Sequence, residues 1–73
     1  MSPDKLAYMA NQIGKFFAHQ KPDDAVASIE DHLRKFWDPR MRRAIVAQLE
    51  NCEIQLDPPV RKAIARLQDS QLV

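Results

Sequence analysis

Cysteine, glycine and histidine are scarce in this sequence of 73 residues, which has one cysteine, one glycine and two histidines. A single cysteine, Cys52, cannot form an internal disulfide, and with His19 and His32 it matches no common zinc spacing. No glycine-rich loop is present to cradle a phosphate group. Since a core of this size supplies only about 3–5 kcal/mol, we expect the domain to depend on well-packed helices or on a partner subunit.

Catalytic patterns are also missing. His19 is expected at a helix C-terminus and His32 on the polar flank of a helix, and neither has a serine or cysteine at a spacing that suggests an activated nucleophile. Cys52 is expected on the apolar face of a helix, as a buried and unreactive thiol. The sequence therefore predicts that the chain is not an enzyme.

Long apolar runs and a secretory leader are absent as well, so we expect a cytoplasmic chain without a membrane span. The net charge of +1 is too small to indicate nucleic-acid binding by itself. The cations are concentrated, because residues 34–43 carry five cations and one acid while the remainder of the chain is mildly acidic.

Proline marks the boundaries of four predicted helices, at approximately residues 3–19, 23–37, 39–52 and 58–69. Apolar residues recur along them at helical spacing, and nothing is typical of a strand. The prediction is one all-α domain over residues 1–73, a compact bundle of three to four short antiparallel helices, with Leu72 and Val73 expected to fray. The expected core is Leu6, Met9, Ile13, Phe17, Val26, Ile29, Leu33, Trp37, Ile45, Leu49, Ile64 and Leu67.

Gly14 is the single glycine and lies inside the first predicted helix, beside its apolar stripe. Glycine in a helix interior costs about 1 kcal/mol relative to alanine. The usual compensation is the close approach of a neighbouring helix or a large ring, so we expect such a neighbour at Gly14.

The most informative stretch is residues 34–43, which we call the corner. Asp38 and Pro39 should end one helix and begin the next there, beside the two largest apolar rings of the chain, Phe36 and Trp37. Trp37 centres the apolar stripe of the second helix, whereas Phe36 lies nearer its edge. Arginine, tryptophan, phenylalanine and methionine are residue types that anchor partner surfaces.

Three arginines, Arg40, Arg42 and Arg43, follow directly after this helix start. Cations there oppose the helix macrodipole, at a cost of about 0.3–1 kcal/mol each. An ion pair with Glu30 or Asp31 inside the domain would account for one of them but hardly for all three. We therefore expect the corner to contact a partner.

Three segments give the chain a resemblance to a known family: residues 9–14 with Phe16 and Phe17, residues 32–43, and residues 56–60. The run Phe-Trp-Asp-Pro-Arg-Met-Arg at 36–42 is the specific part. Over roughly residues 5–67, the chain resembles the delta subunit of NAD-dependent, molybdenum-containing formate dehydrogenase. Residues 50–56 depart from the family, which has a glycine-containing linker of small residues there.

The resemblance implies a non-catalytic accessory subunit that binds the catalytic alpha subunit of a soluble formate dehydrogenase and assists its assembly or cofactor loading. The resemblance also implies that the molybdenum-pterin cofactor, the iron–sulfur clusters and the flavin belong to partner subunits, and the lack of a set of cysteines for a cluster in this chain agrees with that. No catalytic, cofactor-binding or metal-binding residue is assigned. The residues expected to bind the partner are Asn11, Gln12, Phe36, Trp37, Asp38, Arg40, Met41, Arg42 and Arg43.

Two other interpretations stay open. The basic helix after Asp38 could act as the recognition helix of a small nucleic-acid-binding protein, although the overall charge and two acids, Glu50 and Glu53, argue against it. The corner could also pair with a second copy of itself, although a two-fold axis would then bring like charges together.

Overall fold

A computed structural model describes residues 2–71 of the chain, and the side chains of residues 2–68, as four α-helices with their connections. The helices are α1 (Pro3–Phe16), α2 (Pro22–Phe36), α3 (Pro39–Val46) and α4 (Pro58–Gln71). Residues 2–71 contain no strand, so the predicted all-α fold is confirmed. Leu72 and Val73, for which fraying is expected, lie outside the described residues.

The helices begin where the prolines predict, because proline tolerates the first helical turn, in which a backbone N–H has no partner. Ser2 caps α1 and Asp38 caps α3. Each side chain accepts a hydrogen bond from the backbone N–H three residues later, at 3.2 and 2.9 Å respectively. No side chain caps α2, but Asp23 and Asp24 in its first turn complement the macrodipole.

The core lies where α4 packs against the other three helices, most extensively against α2. α2 and α3 make few direct contacts although only two residues join them, because each packs against α1 and α4 instead. Of the expected core, Ile13, Phe17 and Leu49 are partly buried, and the buried members are Leu6, Val26, Ile29, Leu33, Trp37, Ile45, Ile64 and Leu67.

α1 buries a face made largely of small residues, which includes Ala7, Ala10 and Gly14. Met9 lies on the flank of this face and is 37% exposed, so its placement in the core was wrong. The helix also ends at Phe16, before the expected residue 19, and the chain continues in a turn.

Gly14 has the close neighbour that the sequence predicts. A Cβ atom added at Gly14 would overlap the Cγ2 methyl of Val60 in α4, and it would lie 3.8 Å from Cδ1 of Ile29 in α2. The missing side chain therefore allows α4 to approach α1 closely, which offsets the unfavourable helix propensity of glycine.

α3 ends at Val46, well before residue 52, where the third helix was predicted to end. The chain then continues in a tighter, 3₁₀-type turn, in which the N–H of Leu49 bonds to the carbonyl of Val46, three residues earlier, at 3.1 Å. Asn51 next accepts a hydrogen bond from the N–H of Glu53 (3.0 Å), a local turn that competes with helix. Cys52 consequently lies exposed in this turn, and the prediction of a buried thiol was wrong.

Candidate functional site: an interaction surface at the corner

The corner connects α2 to α3 through two residues, Trp37 and Asp38, and both have extended backbone conformations. Asp38 is extended because it precedes Pro39, which disfavours the helical region for the residue before it. The N–H of Trp37 still bonds to the carbonyl of Leu33 at 3.1 Å. The hydrogen bond from Trp37 to Leu33 at the end of α2 and the Asp38 cap at the start of α3 together fix the shape of the corner.

The two adjacent rings of the corner have opposite environments. Trp37 is only 6% exposed and belongs to the core cluster, whereas Phe36 is 72% exposed. Met41, at the start of α3, is partly buried against the same core. Trp37 therefore holds the corner in place, and Phe36 is the ring that a partner can reach.

Arg42 bonds to the end of α2 rather than pointing to a partner. Its Nη1 atom donates to the carbonyls of Arg34 and Trp37, at 2.8 and 2.9 Å. Carbonyls at a helix C-terminus have no intrahelical partner, and a cation there complements the negative end of the macrodipole. The favourable position of Arg42 relative to α2 compensates its unfavourable position near the start of α3.

Arg40, in the first turn of α3, has no such compensation, whereas Arg43 lies in the last turn of this eight-residue helix, where a cation complements the macrodipole. Both are exposed, and within residues 2–68 neither side chain takes part in a hydrogen bond or an ion pair. The ion pair with Glu30 or Asp31 that the sequence suggests for one of the three arginines is not formed, and Arg42 is held by backbone carbonyls instead. The corner therefore presents two guanidinium groups and one phenylalanine ring to solvent.

The acids that could have paired with these arginines are engaged elsewhere. Glu30 pairs with Arg34 on the same helix and lies 3.7 Å from the guanidinium of Arg66 in α4. Asp31 lies 3.0 Å from the ammonium group of Lys35, also on α2. Glu30 and Asp31 are thus paired with cations of α2 and α4, so neither of them neutralises the positive charge at the start of α3.

Asn11 and Gln12, which the resemblance adds to the candidate residues, differ in their surroundings. The Asn11 side chain donates from Nδ2 to the carbonyl of Gln55 and accepts at Oδ1 from the N–H of Asp57, both at 3.0 Å. Gln12 is exposed, and its side chain makes no hydrogen bond within the described part of the chain. Asn11 thus binds the irregular segment 51–57 to α1.

Segment 51–57 also adds two buried residues, Ile54 and Leu56, that the sequence-based core does not include. They were missed because the predicted third helix and its linker covered this region. The only signal for them is a short alternation, in which apolar residues 54 and 56 flank a polar residue.

Substituting Asn11 tests this connection. Asn11→Ala removes both hydrogen bonds, so we expect the free energy of unfolding to fall by about 1 kcal/mol. Gln12→Ala, the neighbouring and exposed control, should change it by less than about 0.5 kcal/mol. Urea unfolding followed by Trp37 fluorescence measures both variants, and equal stabilities would show that Asn11 does not hold the segment.

A second exposed feature adjoins the corner at Phe36, and we call it the aromatic ridge: Phe16, Phe17, His32 and Phe36. Phe16 and Phe17 contact edge to face, with ring centroids 5.0 Å apart. The Phe17 and His32 centroids are 6.3 Å apart, and those of His32 and Phe36 are 4.7 Å apart. The ridge therefore crosses from the end of α1 to the end of α2.

Only part of this ridge could be predicted from the sequence. Phe17 was assigned to the core and His32 to the polar flank of a helix, and neither was counted as a site residue. The spacing of His32 and Phe36, four residues apart on one helix, is the available signal. The contact between α1 and α2 at Phe17 could not be predicted from either helix alone.

The described residues offer little for other chemistry. Within residues 2–68, no group of three or more His, Cys, Asp or Glu side chains is arranged to hold a metal ion. No helix in the described range has both the length and the apolar character needed to cross a bilayer.

Comparison with protein families gives one match. Residues 5–64 match the model described as "NADH-dependant formate dehydrogenase delta subunit FdsD". No curated protein and no solved structure matches the chain significantly. The matched range contains most of α1, all of α2, α3 and the corner, and the first half of α4.

Proposed function

The chain belongs to the family of formate dehydrogenase delta subunits, and from this membership we propose that it binds the catalytic alpha subunit through the corner and assists that subunit's assembly or cofactor loading. A delta subunit is an accessory part of a complex that contains other subunits. In this proposal the chain itself is not catalytic. The molybdenum-pterin cofactor, the iron–sulfur clusters and the flavin reside in the partner subunits, in the cytoplasm.

The two exposed and unpaired arginines are the observation that carries the proposal. The side chains of Arg40 and Arg43 have no hydrogen-bond or ion-pair partner among residues 2–68, and Arg40 also lies in a first helical turn, which disfavours cations. Guanidinium groups make strong, directional hydrogen bonds to carboxylates, so acids on the alpha subunit are the expected counterparts. Phe36 beside them supplies an apolar anchor of the kind found at interface hot spots.

The candidate residues therefore divide by role. Phe36, Arg40 and Arg43 contact the partner. Trp37, Asp38 and Arg42 fix the shape of the corner, and we assign Asn11 to the support of segment 51–57 instead of to the interface.

Charge reversal at the corner tests the proposal. In a co-expressed complex, Arg40→Glu/Arg43→Glu should weaken binding of the alpha subunit by at least about tenfold, because it replaces attraction with repulsion. The variant should fold, since both side chains are exposed, an acid at position 40 complements the dipole of α3, and an acid at position 43 opposes it by only about 0.3–1 kcal/mol. Affinity purification followed by mass spectrometry of the bound subunits gives the measurement.

A matched control makes the same change in net charge elsewhere. Lys21 and Lys62 are exposed cations at the starts of α2 and α4, where acids are also compatible with the helix dipole. Lys21→Glu/Lys62→Glu should retain the alpha subunit at the wild-type level. If Arg40→Glu/Arg43→Glu also retains the alpha subunit at the wild-type level, the proposal is refuted.

A further inference from the structure

We propose that the aromatic ridge is a second docking surface, which takes one amphipathic helix of the catalytic subunit with apolar residues about one turn apart and acidic residues beside them. This inference rests on the proposed function, because it assumes that the chain binds that subunit. It extends the contact from Phe36, which the ridge shares with the corner, to Phe16, Phe17 and His32, and it specifies the structure and charge of the segment that binds there.

Exposure and continuity of the rings are the first argument. Phe16 and Phe36 are each 72% exposed, and Phe17 and His32 connect them through successive ring contacts. A single exposed apolar side chain needs no explanation, but a contiguous exposed patch marks an interaction site. Complete burial of a phenylalanine side chain is worth about 1.5–3 kcal/mol, so covering both rings would contribute substantially to binding.

The spacing of the rings indicates a helix as the bound segment. Successive centroids are 5.0, 6.3 and 4.7 Å apart, and an α-helix rises about 5.4 Å per turn. A partner helix that lies along the ridge would therefore place apolar side chains at positions i, i+4 and i+7, one against each pair of neighbouring rings.

A groove beside the ridge gives one of these side chains a place to insert. Its volume is about 290 Å³. Its lining combines aromatic rings with a few polar side chains, which is the usual composition of a binding pocket. The groove is lined by Phe17, Ser28, Asp31, His32, Lys35 and Phe36.

The charges around the ridge favour an acidic partner over a second copy of this chain. Lys15 directly precedes Phe16, and Lys35 directly precedes Phe36, and both lysines are exposed. The pairing of Lys35 with Asp31 is exposed to solvent on both sides, so it holds Lys35 only weakly. Two copies docked ridge to ridge would place lysines near lysines, whereas a helix with flanking acids complements them.

Photo-crosslinking in the co-expressed complex tests the inference directly. Benzoylphenylalanine introduced in place of Phe16 or Phe36 should give adducts with the alpha subunit that map to a single helix of that subunit. Tyr8 is the matched control, since it lies on the same helix as Phe16 and is 65% exposed, but it belongs to no ring contact of the ridge. The same probe in place of Tyr8 should give no adduct with that helix.

Truncation provides the second measurement. Phe16→Ala should weaken binding of the alpha subunit by about tenfold, as expected for an interface anchor, and Tyr8→Ala should leave binding unchanged. Far-UV circular dichroism checks that both variants keep their helices.

The inference and the proposed function fail in distinguishable ways. If Phe16→Ala binds the alpha subunit like wild type, while Arg40→Glu/Arg43→Glu does not, the ridge is not a docking surface and the proposed function stands. Adducts with a second copy of this chain, with another subunit, or with a non-helical segment also overturn the inference. If the wild-type chain never retains the alpha subunit, both proposals are wrong.

Discussion

Trp37→Ala is expected to unfold the domain, whereas Phe36→Ala, one residue earlier, should change its stability by less than about 0.5 kcal/mol. Trp37 is 6% exposed and packs in the core, and Phe36 is 72% exposed. Replacing a buried tryptophan by alanine costs about 3–5 kcal/mol. A domain of this size has a total free energy of unfolding of about that size, so the free energy of unfolding of the variant should be close to zero.

Far-UV circular dichroism with urea unfolding distinguishes these outcomes, because it does not depend on the tryptophan fluorescence that Trp37→Ala removes. Trp37→Phe is the intermediate control, since it keeps an aromatic ring in the core and should unfold cooperatively at a lower urea concentration. A Trp37→Ala chain that unfolds cooperatively at the wild-type midpoint would show that the corner does not depend on this ring.

This contrast determines which substitutions can report on binding. A Trp37 variant that fails to bind the alpha subunit says nothing about contacts, because the corner itself is lost. Variants at Phe36, Arg40 and Arg43 change exposed groups that have no hydrogen-bond or ion-pair partner within residues 2–68. Their effects on binding can therefore be assigned to the interface.

Helix starts could be predicted from the sequence because their signals are local. Ser2 and Asp38, each followed by proline, act as caps within three residues of their own positions. The end of α3 had no such signal, since neither glycine nor proline follows Val46 until the next helix start. The irregular segment that follows is held by Asn11, which bonds to Gln55 and Asp57, more than forty positions away along the chain.

The corner was predictable in part for the same reason. Its position follows from Asp38 and Pro39, and the burial of Trp37 follows from its place at the centre of an apolar stripe. The role of Arg42 depends on the angle between α2 and α3, because its guanidinium must reach carbonyls at the end of the other helix. The periodicity of a single helix gives no information about that angle, so the roles of the three arginines cannot be distinguished from the sequence.

Gly14→Ala should lower the free energy of unfolding by about 2 kcal/mol, although alanine favours helix. Helix propensity alone would stabilise the variant by about 1 kcal/mol. The new Cβ atom, however, overlaps the Cγ2 methyl of Val60, which is fully buried in α4. Valine is stiff at χ1 in a helix, so this methyl cannot rotate away without further strain.

Removing the methyl groups of Val60 provides the decisive control. Val60→Ala alone leaves a cavity and destabilises the domain, but in Gly14→Ala/Val60→Ala the new methyl occupies part of that space. The double variant should therefore be more stable than the sum of the single effects predicts, by about 1–2 kcal/mol in a double-mutant cycle measured by urea unfolding. Additive effects would mean that α1 and α4 can separate at no cost, and the glycine would then be left without a structural reason.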